Sequence, residues 1–169
     1  AYYGDFLPVT TDMEGCRIEK KEDGYILHMG EEGGELTFDT EGRIVELKDT
    51  DERTVSLVYG DKTMTLTENV SKESLYITYN EEGFITTVRD DHGRMGALSY
   101  DGEGNLSSYT DPMGNTARYE YDSAHRMIKA VDGEGCTYVS NTYDEQGRIT
   151  AQEEAGKGPA AGLSYEEEG

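Results

Sequence analysis

Carboxylates are the most abundant chemistry-bearing groups in this chain, and some of them cluster with glycines. Asp101-Gly102-Glu103-Gly104-Asn105 and Asp132-Gly133-Glu134-Gly135 bring several oxygen ligands close together, the donor type a calcium ion takes. Neither cluster has a twelve-residue loop closed by a Glu, and a glycine-rich nonapeptide period is absent, so no metal site is expected. Paired acids at a fixed separation also serve glycoside hydrolysis, but with 36 Asp and Glu some pair always qualifies. His28, His92 and His125 lie far apart in sequence with no Ser or Cys beside them in a nucleophile motif, and read as solvated strand or turn residues. Cys16 and Cys136 stand 120 positions apart without metal-ligand spacing, and read as two free thiols. No catalytic residue, metal ligand or cofactor site is therefore expected, and the chain reads as a non-enzyme.

Fifteen basic against 36 acidic side chains give a net charge of −21, which makes nucleic acid and anionic membrane poor partners. The acid runs Glu31-Glu32 and Glu166-Glu167-Glu168 read as solvated surface. No stretch approaches the roughly 18 apolar residues that a spanning helix needs. Leu, Ile, Val and Phe together supply 28 of the 169 residues, below the roughly 20% at which a charged chain is suspected of disorder. Thirteen tyrosines and 21 glycines offset that suspicion, because they are periodic.

An aromatic followed by a small or acidic residue recurs as Phe38-Asp39, Tyr59-Gly60, Tyr79-Asn80, Tyr100-Asp101, Tyr121-Asp122 and Tyr143-Asp144, at steps of 21, 20, 21, 21 and 22 residues. Four positions after the aromatic stands Gly42, Gly83, Gly104 or Gly147, with Thr63 and His125 in that slot in the other units. Just past the slot come Ile44, Ile85, Leu106, Ile128 and Ile149. Near the end of each unit an acid recurs (Asp49, Asp90, Asp111, Asp132), and Gly93, Gly114 and Gly135 follow three of them. Apolar residues alternate before the aromatic, as in Val55-Leu57-Tyr59 and Leu75-Ile77-Tyr79, which predicts a strand with one aromatic-bearing face. Asp-x-x-Gly supplies a turn, since Asp bonds its own backbone and Gly takes positive φ.

Each unit thus reads as two short strands and two turns. In the second strand the apolar landmarks lie three apart (Ile44/Leu47, Ile85/Val88, Ile128/Val131), which calls for a bulge or for cover on both faces. The segment from Glu68 to Glu73 lacks Asp-x-x-Gly and needs a different turn. In a chain this poor in aliphatic residues the tyrosine ladder is expected to form the core; an exposed ladder would instead stack on sugar rings or a partner's apolar patch.

Three regions follow: 1–33 as an N-terminal capping hairpin region (Arg17-Ile18-Glu19, a turn at Glu22-Asp23-Gly24, then Tyr25 to Met29), 34–154 as tandem repeats of about 21 residues, and 155–169 as the start of a further repeat. Ala1-Tyr2-Tyr3-Gly4 shows no initiating Met, basic n-region or apolar h-region, so the chain reads as an excised piece. Gly162-Leu163-Ser164-Tyr165-Glu166 restarts the pattern 22 residues after Tyr143, so further repeats are expected in a parent protein.

These residues resemble the YD-repeat, or Rhs-repeat, family. The best match is Tyr143-Asp144-Glu145-Gln146-Gly147-Arg148-Ile149-Thr150, followed by Tyr100-Asp101-Gly102-Glu103-Gly104-Asn105-Leu106 and Thr110-Asp111-Pro112-Met113-Gly114-Asn115-Thr116. Phe38-Asp39-Thr40-Glu41-Gly42-Arg43-Ile44 looks like the lead into such an array. The resemblance implies an all-β fold of tandem antiparallel hairpins in a twisted, spiralling sheet. The landmarks are Phe38, Gly42, Tyr59, Tyr79, Gly83, Tyr100, Gly104, Asp111, Gly114, Tyr121, Tyr143 and Gly147. It further implies a secreted or cell-surface protein whose sheet wraps a shell around a C-terminal toxin, the rest of the repeats and the cargo being its partners. The alternative is an adhesion or carbohydrate-binding module, with glycans or a surface partner. The chain is too short to close a shell and shows no toxin domain, so a segment of shell wall is the expected role.

Overall fold

The computed structural model describes residues 15–30, 33–155, 161–163 and 165. The opening Ala1 to Gly4, Glu31-Glu32, Ser164 and Glu166 to Glu168 lie outside the described residues. All regular structure among the described residues is β, and the chain divides into two compact units, Ala1–Gly93 and Arg94–Gly169.

The first unit holds β1 (Cys16–Lys21), β2 (Gly24–Met29), β3 (Glu35–Phe38), β4 (Ile44–Lys48), β5 (Thr54–Tyr59), β6 (Thr63–Glu68), β7 (Ser74–Tyr79) and β8 (Ile85–Asp90). Each strand pairs antiparallel with the next, from β1–β2 through β7–β8. The second unit holds β9 (Met95–Tyr100), β10 (Leu106–Thr110), β11 (Thr116–Tyr121), β12 (Met127–Val131), β13 (Thr137–Tyr143), β14 (Ile149–Glu154) and β15 (Ala161–Gly162), paired in the same sequential way. The fold is therefore all-β, tandem antiparallel hairpins.

Register sorts the side chains by face. Leu57 lies opposite Leu66 and Leu66 opposite Leu75, while Tyr59, Met64, Ile77 and Val88 form a second apolar row. The other face carries hydroxyls. Thr78 and Thr87 are cross-strand partners whose Oγ1 atoms sit 2.7 Å apart, and Thr67 Oγ1 lies 2.9 Å from Ser74 Oγ. Cross-strand pairs of this kind are the unit of sheet stabilisation.

A bulge accounts for the three-residue spacing in the second strands. Phe38 faces Ile44 and Thr37 faces Glu46, so Val45 is the extra residue. Thr86, Ser107 and Thr150 are extra in the same place in their hairpins. Ile44 and Leu47 thereby meet Phe38 and Leu36, two residues apart on one face. In the unit of Tyr121 the sequence reading is off by one. Met127, two positions past the turn residue His125, pairs with Tyr121, and Ile128 is the bulged residue. The apolar pair on the aromatic face is Met127 and Ala130 rather than Ile128 and Val131, because Ala130 faces Tyr119.

The tyrosines do not form a buried core. Tyr59, Tyr79, Tyr100, Tyr121 and Tyr143 are all half-buried, and Ala130 is the one fully buried apolar side chain among the described residues. Within each unit the strands pack against their neighbours in sequence, so the rings are covered by lateral neighbours on their own face.

Candidate functional site

Among the described residues nine turns are built on one plan. In the first, Asp39 N–H donates to Arg43 O (2.9 Å) and Gly42 N–H to Asp39 O (3.1 Å). Asp39 Oδ1 accepts the N–H groups of Glu41 and Arg43 (each 2.9 Å). The residue three after the acid has positive φ: 82° at Gly42, 86° at Gly83, 84° at Gly104, 89° at Gly114 and 81° at Gly147. A left-handed residue at that place lets a type I turn close a hairpin. Two turns fill it without glycine, with Glu52 at φ 63° and His125 at φ 61°. Asp111 organises its linking turn likewise, accepting from Met113 and Asn115.

Between β3 and β14 two turns depart from the plan. Thr63 does not occupy the glycine slot; it is the first residue of β6, because Gly60 N–H donates to Thr63 O across a tight Asp61-Lys62 loop. Between β6 and β7, Glu68 replaces Asp with a longer side chain, its carboxylate accepting from Val70 and Ser71 N–H, and Lys72 takes the left-handed conformation at φ 63°.

The fifth residue of the turn then uses the acid's second oxygen. Arg43 Nε (2.8 Å), Arg126 Nε (2.7 Å) and Arg148 Nε (2.7 Å) donate to Oδ2 of Asp39, Asp122 and Asp144. Asn105 and Asn115 do the same with their amides at Asp101 and Asp111. These contacts hold the carboxyls below their ordinary range. At Asp122 and Asp101 the side-chain partner, Arg126 or Asn105, is the main cause, and at Asp39 it is the Arg43 backbone N–H.

Fixed in this way, the guanidinium reaches the next repeat. Arg43 lies over the Tyr59 ring at 5.0 Å, Arg126 over Tyr143 at 4.7 Å and Arg148 over Tyr165 at 4.6 Å. The hydroxyl of each of these tyrosines donates to the carbonyl of the residue after the arginine: Ile44 (2.7 Å), Met127 (2.7 Å) and Ile149 (2.9 Å). Acid, arginine, tyrosine and carbonyl therefore form a brace from each repeat to its successor. Where arginine is missing the brace changes. Tyr79 directs its hydroxyl at Met64 Sδ (3.9 Å), and Asn105 accepts from His125 of the following turn (2.7 Å). Burial pushes the Tyr121 and Tyr119 hydroxyl pKa values up.

The landmarks read from sequence thus occupy two structural places. Phe38, Tyr59, Tyr79, Tyr100, Tyr121 and Tyr143 end their strands; Gly42, Gly83, Gly104, Asp111, Gly114 and Gly147 build turns. In the sequence Arg43 and Arg148 stand out as the residues after the glycine slot, 16 or 17 positions before a tyrosine, whereas Arg126 follows His125 and lacks that mark. The Asp101 cluster spends its oxygens on its own turn: Oδ1 on Glu103 and Asn105 N–H, Oδ2 on the Asn105 amide. Among the described residues no three His, Cys, Asp or Glu side chains converge as metal ligands. Cys16, half-buried, and Cys136, exposed, are free thiols. His92 and His125 are exposed turn residues, whereas His28 is half-buried between two carboxylates.

Among solved structures, one similar chain belongs to a mutant form of the Photorhabdus luminescens Tc holotoxin pore, at 11% identity and a TM-score of 0.45. The match covers 86% of this chain and 11% of that one. The family model for the RHS Repeat matches residues 100–135, the stretch from Tyr100 through the turns at Asp101, Asp111, Asp122 and Asp132. Residues 100–135 are thus similar to an RHS repeat, and they are built of the same hairpin plan as the turns described above.

Proposed function

We propose that the chain is a length of wall in an RHS-type shell that encloses a toxin or other effector polypeptide, with a structural and non-catalytic role. The brace carries this reading. Among the described residues three repeats are fastened to the next by an arginine held in their own turn and a tyrosine supplied by the neighbour, as at Arg43 and Tyr59 or Arg126 and Tyr143. Such nearest-neighbour fastening suits a surface that must extend by repetition and still hold its line. The charge of −21 keeps such a wall soluble and repels other acidic surfaces. Secretion or surface display belongs to the same reading.

Carbohydrate stacking fits less well. One face of the Tyr59, Tyr143 and Tyr165 rings is already taken by an arginine.

Protease protection in the protein as its gene encodes it is the test. A stretch outside the repeats that resists cleavage in the native preparation, and is cut once the repeats are unfolded, supports the proposal. A full-length product with no protected stretch overturns it.

A further inference from the structure

His28 stands on β2 between the two neighbouring strands, with Arg17 of β1 and Glu35 of β3 as its direct cross-strand partners. Its Nε2 lies 3.2 Å from Glu19 Oε2, and its Nδ1 lies 2.9 Å from Glu35 Oε1. A carboxylate only accepts hydrogen bonds, and a neutral imidazole has one N–H and one lone pair. In the neutral form one of these two contacts therefore sets a lone pair against an anion. Only the doubly protonated ring donates to both.

The surrounding charges point the same way. Arg17, Glu19 and Lys21 of β1, Glu35 of β3, Glu46 and Lys48 of β4, and Glu52 of the following turn share this polar cluster. Lys21 bonds Glu19 (2.5 Å), Arg17 approaches it at 3.9 Å, and Lys48 lies 3.9 Å from Glu35 and 3.0 Å from Glu52. Glu46 acts on Lys48 through its charge. Three cations thus meet four carboxylates, and one further proton on His28 brings the cluster to neutrality. The Glu19 carboxyl is held low, first by its bond to Lys21 and next by its bond to His28.

The geometry points to a proton-operated latch on the first three strands: His28 as imidazolium ties β1 and β3 to β2 through Glu19 and Glu35, and deprotonation releases one of the two ties. Gain of a proton by the ring therefore closes the latch, and its loss opens it. The turn carboxylates act in the opposite sense and at lower pH, so the two effects separate on the pH axis.

Amide hydrogen exchange at about pH 5.5 and about pH 8 tests the latch, with each protection factor corrected for the intrinsic rate at its own pH. Amides of β1 to β3 should be about fivefold better protected at the lower pH, the ratio expected of one ordinary hydrogen bond. Amides of β5 and β6, which carry no histidine, serve as the internal reference and should not change. His28→Gln should abolish the difference. Glu35→Gln should shrink it, because its amide can donate to a neutral ring; this variant decides the matter if His28→Gln fails to fold. Equal protection at the two pH values, or a difference that survives both substitutions, would overturn the latch.

Discussion

The Arg126 guanidinium sits 4.7 Å from the centroid of the Tyr143 ring, while the Tyr143 hydroxyl donates to the carbonyl of Met127, the residue next to that arginine. One side chain of a repeat is therefore gripped from above and at its tip by two consecutive residues of the repeat before it. Arg126 itself is held by Asp122 and donates to Asp144 O (3.1 Å), so one cation joins two successive turns.

Arg126→Ala removes the ring contact and the donors to both turns. A partly exposed cation–π contact contributes about 0.5–1 kcal/mol, so the total loss should be about 1–2 kcal/mol, read as a lower urea midpoint with an unchanged slope. Arg126→Lys should recover less than half of it, since an ammonium cannot reproduce the planar fork.

Tyr143→Phe keeps the ring beneath Arg126 and deletes only the hydroxyl, leaving Met127 O with one partner fewer, the Asn141 amide still donating to it at 3.1 Å. Thermal unfolding should show a cost of about 1 kcal/mol. A double-mutant cycle of Arg126→Ala with Tyr143→Ala should return a coupling of about 0.5–1 kcal/mol; zero coupling would mean that the two residues act independently.

Glu52 takes φ 63° in a position that Gly42 and Gly147 fill elsewhere. Glu52→Gly relieves that strain and gives up only an exposed ion pair with Lys48, so stability should rise by about 0.5–1 kcal/mol. The reverse change, Gly114→Ala at φ 89°, should lower it by about 1–2 kcal/mol even though a methyl group there meets open space. Calorimetric midpoints of the two variants should move in opposite directions.

Acid should unzip the array. Folding depresses the carboxyls of Asp39, Asp101, Asp111 and Asp122 below their ordinary 3.8. A depressed carboxyl contributes stability that is fully present above its unfolded value and is lost as pH falls through the folded one. The contribution of these carboxyls to the urea midpoint should therefore hold steady above about pH 5 and drop below about pH 4, which is read in the His28→Gln background so that the latch does not add to it. Asp101→Asn should make that drop shallower.

Much of the architecture can be read directly from residue spacing. Strand ends at Tyr79, Tyr100 and Tyr143 and positive φ at Gly83, Gly104 and Gly147 follow from local chemistry, because an aromatic ends the first strand of each of these hairpins and only glycine takes that φ without strain. The bulge was foreshadowed by Ile44 and Leu47, whose spacing has no other solution on a one-sided strand. His125 hid the phase of its unit, since a non-glycine in the left-handed slot shifted the expected anchor from Met127 to Ile128. The brace was harder to see for a different reason. Arg43 and Tyr59 are sequence-distant, and what joins them is the lateral stacking of hairpins, which composition and periodicity do not encode. The half-buried state of the tyrosines had the same origin: a ladder looks alike on paper whether a second layer covers it or only its lateral neighbours do.

The bulge at the start of β4, β8, β10, β12 and β14 has an effect on tolerance to change. Because Val45, Thr86, Ser107, Ile128 and Thr150 each absorb one surplus residue beside a turn, alignment is re-established inside those five hairpins, while β5 and β6 pair without a bulge across their tight loop. Units whose aromatics fall 20, 21 or 22 residues apart can follow one another without a frameshift of inward and outward side chains. Length variation between repeats is thus confined to the repeat where it arises, and such an assembly can lengthen, shorten or diverge one unit at a time.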